Sequence, residues 1–146
     1  DDPDIELADP YTGEQDVEKE DRVAVLFAKD KDMGEYYGFE IDSMGRSLAY
    51  KAAYYRNFDY GWEPPDDFKV AATRTENGFI VEGAVPRWFL SKLERSPGGP
   101  VWWGTYRCSV MRAGGALSCD WLSLHDPLTA QPDFHVPAAM RMLIMN

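Results

Sequence analysis

Phe68-Lys69-Val70-Ala71-Ala72-Thr73, then Glu76-Asn77-Gly78, then Phe79-Ile80-Val81-Glu82-Gly83-Ala84-Val85-Pro86, decide the fold class of this chain. Two short runs rich in β-branched and aromatic residues flank an Asn-Gly. That arrangement is the strongest short-range hairpin signal, because the turn needs backbone with positive φ. Pro86 lacks the N–H that a ladder requires and ends the second run. Upstream, Val23, Val25 and Phe27 alternate with Ala24 and Leu26, so both faces suit an inner strand. Tyr37, Phe39 and Ile41 alternate with Gly38, Glu40 and Asp42, the pattern of a half-buried strand. Ser47 to Tyr55 is a third candidate, and Gly61 to Asp67, with Pro64-Pro65, reads as a loop. Downstream, Arg87 to Leu93 predicts a helix of about two turns. Ser96-Pro97-Gly98-Gly99-Pro100 breaks the chain. Val101 to Met111 and Ala116 to Leu124 predict strands around Arg112-Ala113-Gly114-Gly115, and Met140 to Met145 a short terminal strand. Many short strands with one short helix near 87–93 predict an all-β protein. The layers are those of an antiparallel β-sandwich, jelly-roll or immunoglobulin-like. Residues 1–146 are expected to form a single domain, part of a longer precursor.

Composition narrows the function classes. Of 146 residues, 45% are hydrophobic and 27% charged, which suits a globular core and not disorder. Lys and Arg number 15 against 25 Asp and Glu, a net charge of −10. Nucleic acids and anionic membranes both need a basic face, so neither is an expected partner. No apolar run approaches the ~18 residues of a membrane-spanning helix. The chain opens on Asp1-Asp2-Pro3-Asp4, without an initiator Met or an apolar secretion signal, so it is expected to be processed or a fragment. Residues 1–21 carry ten carboxylates against Lys19 alone. Such a stretch reads as a solvated acidic surface. It also offers Asp9, Glu14 and Asp16 as oxygen donors for a calcium ion, though without EF-hand spacing.

Two cysteines are present, Cys108 and Cys119. A turn centred on Ala113 and Gly114 would set them directly opposite each other. Directly opposed Cβ atoms lie about 4.5–5.5 Å apart, near disulfide range. The expectation is a cross-strand disulfide, hence an oxidising compartment outside the cytoplasm.

No phosphate loop, nucleophile elbow, zinc spacing or dinucleotide fingerprint occurs. Ser123, His125 and Asp126 resemble a triad only by type, since a triad converges from separate elements. The chain does not read as an enzyme. Its 20 aromatic residues say more. Half are expected in the core, and adjacent Trp102 and Trp103 must point to opposite faces. The rest could form a platform, because sugar rings present C–H faces that pack on aromatic planes. Tyr54, Tyr55, Trp62, Trp103 and Phe134, with His135, are the candidate ligand-binding residues.

Several of these segments resemble a known family. Glu20-Asp21-Arg22-Val23-Ala24-Val25-Leu26-Phe27, Phe39-Glu40-Ile41-Asp42, Gly78 to Pro86, and Trp121-Leu122-Ser123-Leu124 with Pro132-Asp133-Phe134-His135-Val136-Pro137 follow one another as in family 9-like carbohydrate-binding modules. That family sits within the DOMON-like β-sandwich superfamily. The resemblance implies a β-sandwich that binds glycan ends without catalysis, in secreted or periplasmic proteins, often with structural calcium. In sugar-binding members two aromatics sandwich the terminal sugar. Glu18 stands where one of them would be, and Phe134 lies near the other. Ala24 replaces an acidic residue of the first strand, and Glu40 an arginine that contacts sugar. Met140-Arg141 replaces a closing Phe-Gly. The family's first strands are expected to precede residue 1.

Three readings follow. One is a sugar-binding module. Another is a scaffold or accessory subunit of a larger, membrane-anchored complex that keeps the sandwich without the sugar site. The third is a haem-binding electron-transfer domain. A related sandwich holds haem through Met with His or Lys, and Met33, Met44, Met111, Met140, Met142 and Met145 are available with His125 and His135.

Overall fold

The computed structural model describes residues 4–145. A 3-10 turn at Glu14–Lys19 leads into strands β1 (Arg22–Ala28), β2 (Tyr36–Asp42), β3 (Ser47–Ala53) and β4 (Asn57–Asp59). A hairpin, β5 (Lys69–Thr75) and β6 (Gly78–Ala84), precedes helix α1 (Arg87–Leu93). Long strand β7 (Val101–Ala113), β8 (Ala116–Ser123) and short β9 (Arg141–Leu143) close the fold. One antiparallel sheet runs β4-β3-β2-β1-β7-β8, with β9 also paired to β7, and β5-β6 form a separate two-stranded sheet. The protein is an antiparallel β-sandwich with one short α-helix.

Strand alternation gives the large sheet two apolar faces. Val25, Phe27, Tyr37, Phe39, Ile41, Ala49 and Val101 point to one side and meet Phe89, Leu90 and Leu93 of α1. Val70 and Val81 of the hairpin and Phe68 pack against the same side, leaving an apolar gap of about 200 Å³ beneath the hairpin. Ala24, Leu26, Ala28, Tyr36, Leu48, Tyr50 and Tyr106 point to the other side. Among the described residues no second sheet covers it. The chain after β8 does, inserting Phe134, Val136, Ala139 and Met140. Gly38 lies between these layers because a Cβ there would stand 2.2 Å from Tyr50 Cζ.

Several details correct the sequence reading. The β7–β8 turn is Gly114-Gly115, with φ of 60° and 84°, since Ala113 pairs with Ala116. A two-residue turn with both φ positive is what two glycines supply without steric cost. The register therefore moves: Cys108 faces Trp121, and Cys119 faces Val110. The cysteines are diagonal rather than opposed, and both are free thiols. Diagonal neighbours are in general farther apart than directly opposed ones, at roughly 7–8 Å with their Cβ atoms somewhat closer. They remain neighbours, and burial together with the Cys119 contact pushes the Cys108 thiol far up. The β5–β6 turn is Glu76-Asn77, one residue earlier than the Asn-Gly signal suggested, because Thr75 pairs with Gly78. Strand β3 stops at Ala53, so Tyr54 and Tyr55 belong to the connection to β4.

Candidate functional site

The uncovered end of the second face forms a cleft of about 360 Å³. Its floor is polar. Arg22 opens β1 and Glu40 lies in β2, and each points to this face because it shares parity with Ala24 and Tyr36. Arg22 Nε donates to Glu40 Oε2 at 2.6 Å, with both side chains under 10% exposed. Tyr50 and Tyr106 donate their hydroxyls to Glu40 Oε1 at 3.1 and 3.0 Å. Arg22 Nη1 donates to the carbonyls of Glu18 and Glu20 at 2.8 and 3.2 Å. A buried ion pair survives desolvation only when its remaining lone pairs and protons are used, and here three donors share one carboxylate. Burial works against the Arg22 charge, but the Glu40 carboxylate together with Cys108 and Tyr106 outweighs it, so the guanidinium stays ionised. Burial lifts both tyrosine hydroxyls well above their usual range, keeping them as donors.

Aromatic rings line the sides. Phe58 of β4 and Tyr60 stack at 5.6 Å. Tyr106 and Phe134 stack at 4.8 Å, and Trp121 packs on both at 5.5 and 5.4 Å. The Arg22 guanidinium lies 5.2 Å from the Trp121 ring, which orients the indole from below. His135 sits at the back, 7% exposed, with its Nδ1 3.2 Å from the Tyr36 hydroxyl. Burial and then the Arg56 charge lower its pKa to about 4, so it is neutral at neutral pH.

Two ion-containing groups form the rim. Tyr60 donates to Glu18 Oε1 at 2.9 Å. On the other side Asp133 accepts from Tyr55 Oη, from Arg56 Nη2 at 3.0 Å and from the His135 backbone N–H at 3.1 Å. Burial would raise the Asp133 pKa, but these donors hold it below the usual carboxylate range. Arg56 adopts a left-handed φ of 56°, uncommon for a side-chain-bearing residue, at the turn that aims it at Asp133.

The candidate residues divide accordingly. Phe134 and His135 line the cleft. Tyr55 braces its rim through Asp133, and Tyr54 packs edge-on against Tyr55, each 53% exposed. Trp62 and Trp103 do not belong to it, and this corrects the expectation. Trp62 packs on Tyr37, Phe39 and Phe89, and Trp103 joins that same cluster, on the opposite face of the sheet. Strand parity sends Trp103 there and its neighbour Trp102 to the other side. Of the acidic trio Asp9, Glu14 and Asp16, the last has partners of its own. Asp16 binds Lys19 Nζ at 2.6 Å and the Thr12 backbone N–H and hydroxyl, which hold its carboxyl well below the usual range. Asp9 and Glu14 are exposed, and no group of three potential ligands is gathered among the described residues.

The floor escaped the candidate set. A signal existed for it: Arg22 and Glu40 carry charge at positions whose parity matches buried apolar neighbours. Such a residue is either a register error or half of a buried pair.

No protein-family model matches the chain, and no curated protein matches it. The fold is similar to a crystal structure from Bacteroides uniformis ATCC 8492, of what is called a "putative carbohydrate-binding protein". The two superpose with a TM-score of 0.61 at 17% identity, over 88% of this chain and 62% of that one. The chain thus spans about three-fifths of that protein's length, and the likeness is one of fold.

Proposed function

We propose that the protein is a non-catalytic module that binds neutral carbohydrate in the Arg22–Glu40 cleft, on an extracytoplasmic protein. One observation carries the reading: a polar floor of fixed donors and acceptors lies between Phe58-Tyr60 and Trp121-Phe134 in a single cleft. Ring planes suit the C–H faces of a pyranose, and the rim hydroxyls, carboxylates and guanidiniums suit its hydroxyl groups. Binding fits better than hydrolysis because the carboxylates are engaged. Glu40 holds three donors and Asp133 three, which suits recognition rather than proton transfer. The order of motifs shared with family 9-like modules and the carbohydrate-binding name of the fold neighbour support the same reading.

The test is titration of a glycan panel followed by tryptophan fluorescence and calorimetry. At least one neutral sugar is expected to bind, with Trp121→Ala weakening it roughly tenfold or more. Flat titrations across the panel overturn the reading.

A second reading, docking to a protein partner, draws on a different surface. Leu122 of β8 and Leu124 just after it are 66% and 57% exposed, and the β5-β6 sheet has only two strands among the described residues. Exposed apolar side chains beside an unpaired strand suit a protein contact. A concentration-independent monomer that gains no stability from association partners would exclude it.

A further inference from the structure

A second cleft, of about 370 Å³, adjoins the first. It shares Trp121, Pro132 and Phe134 with the first cleft and continues through Ser123, His125, Asp126, Thr129 and Gln131. We propose that this cleft is a second subsite, taking the next unit of a neutral oligosaccharide whose first unit occupies the Arg22–Glu40 cleft. The inference rests on the carbohydrate reading and extends it from a sugar end to a chain.

Three features carry it. The aromatic wall is shared, because Trp121 and Phe134, whose rings pack at 5.4 Å, border both spaces. The two volumes are nearly equal, so each suits a unit of the same size. Each alone lies near the small end of the roughly 300–1,000 Å³ of ligand clefts, and joined they reach its middle. The chemistry of the lining differs in a way that selects the second unit. The first cleft offers Arg22 and Arg56, whereas the second offers hydroxyl, amide, imidazole and carboxylate groups with no lysine or arginine. With Asp126 as the one carboxylate there, a uronic acid or sulfated unit would meet like charge without a counter-ion. A neutral unit meets acceptors and donors for its hydroxyls.

The cleft is also shaped before any ligand arrives. Ser123 Oγ donates to the His125 carbonyl at 2.7 Å, and Asp126 Oδ1 accepts the Leu128 N–H at 2.8 Å. These bonds hold the start of the 124–132 loop. Asp133, pinned by Arg56 and Tyr55, holds its end. Preorganisation of this kind lowers the ordering cost of binding.

The experiment uses matched series of one to four units: β-1,4-linked glucose, xylose, galactose and N-acetylglucosamine, α-1,4-linked glucose, and α-1,4-linked galacturonate. Affinities are measured by calorimetry for the wild type and the Thr129→Ala/Gln131→Ala double variant. Both residues line only the second cleft. The expected result is a neutral series in which the dimer binds at least tenfold tighter than the monomer. The double variant should lose most of that gain while keeping its monomer affinity within twofold. A series that binds equally at one and two units overturns the second subsite and leaves the first cleft standing. A gain that survives in the double variant overturns it as well, as does galacturonate dimer binding at least as tightly as the neutral dimers. No binding by any series overturns the carbohydrate reading, and this inference with it.

Discussion

His135 makes the folded protein sensitive to mild acid, and the size of the effect follows from its surroundings. It is 7% exposed, hydrogen-bonded to Tyr36, and ringed by Phe58, Tyr50 and Tyr106 at centroid distances of 5.2 to 6.1 Å. Burial, followed by the Arg56 charge, brings its pKa from 6.5 to about 4. A depressed folded-state pKa means that the unfolded chain binds the proton more readily. The stability it protects is therefore present above pH 6.5 and drains as pH falls toward 4. At 1.36 kcal/mol per pH unit, the loss is about 2 kcal/mol by pH 5 and about 3 kcal/mol by pH 4. Other groups titrate in the same window, so the informative quantity is a difference. His135→Gln keeps an acceptor for the Tyr36 hydroxyl and never charges. Guanidinium unfolding of both proteins at pH 7.5, 6.0, 5.0 and 4.5 should give stabilities that converge, or cross, as pH falls. Parallel curves for wild type and variant would refute the claim that His135 is buried and neutral.

Other perturbations test the remaining geometry. Arg22→Met should cost roughly 3–5 kcal/mol in urea unfolding, because it strands the Glu40 carboxylate beneath the cleft. Arg22→Met/Glu40→Leu should recover part of that loss, and a double variant worse than the sum of the singles contradicts the pairing. Gly38→Ala places a methyl 2.2 Å from Tyr50 Cζ and should destabilise by roughly 1–3 kcal/mol or more, measured as a lowered unfolding midpoint. The free thiols of Cys108 and Cys119 predict two labelled cysteines after unfolding without reductant, with buried Cys108 reacting slowly in the native state. A mass two daltons below that of the fully reduced chain would show a bridge instead.

Much of the architecture was legible along the chain because strand parity is local. Alternation at Val23–Phe27 and Tyr37–Ile41, the breakers around Pro86 and Pro97, and the apolar spacing of Arg87–Leu93 each depend on neighbouring residues alone. The helix lies where that spacing put it. Register was less accessible. Moving the turn from Ala113-Gly114 to Gly114-Gly115 shifts every pair across β7 and β8, and this single step makes the cysteines diagonal instead of opposed.

The amino-acid sequence by itself determined the all-β class, the strand faces and the aromatic supply, since these follow from side-chain size and a period of two. Only the tertiary structure decided which aromatics serve the cleft. Trp62 and Trp103 are as aromatic as Trp121, yet they bury against α1 and the hairpin side while Trp121 lines the opening. The cleft floor likewise exists only once β1, β2, β3 and β7 lie side by side, because Arg22, Glu40, Tyr50 and Tyr106 are brought within hydrogen-bonding reach by ladder register. Long-range pairing sets that register, and no local pattern encodes it.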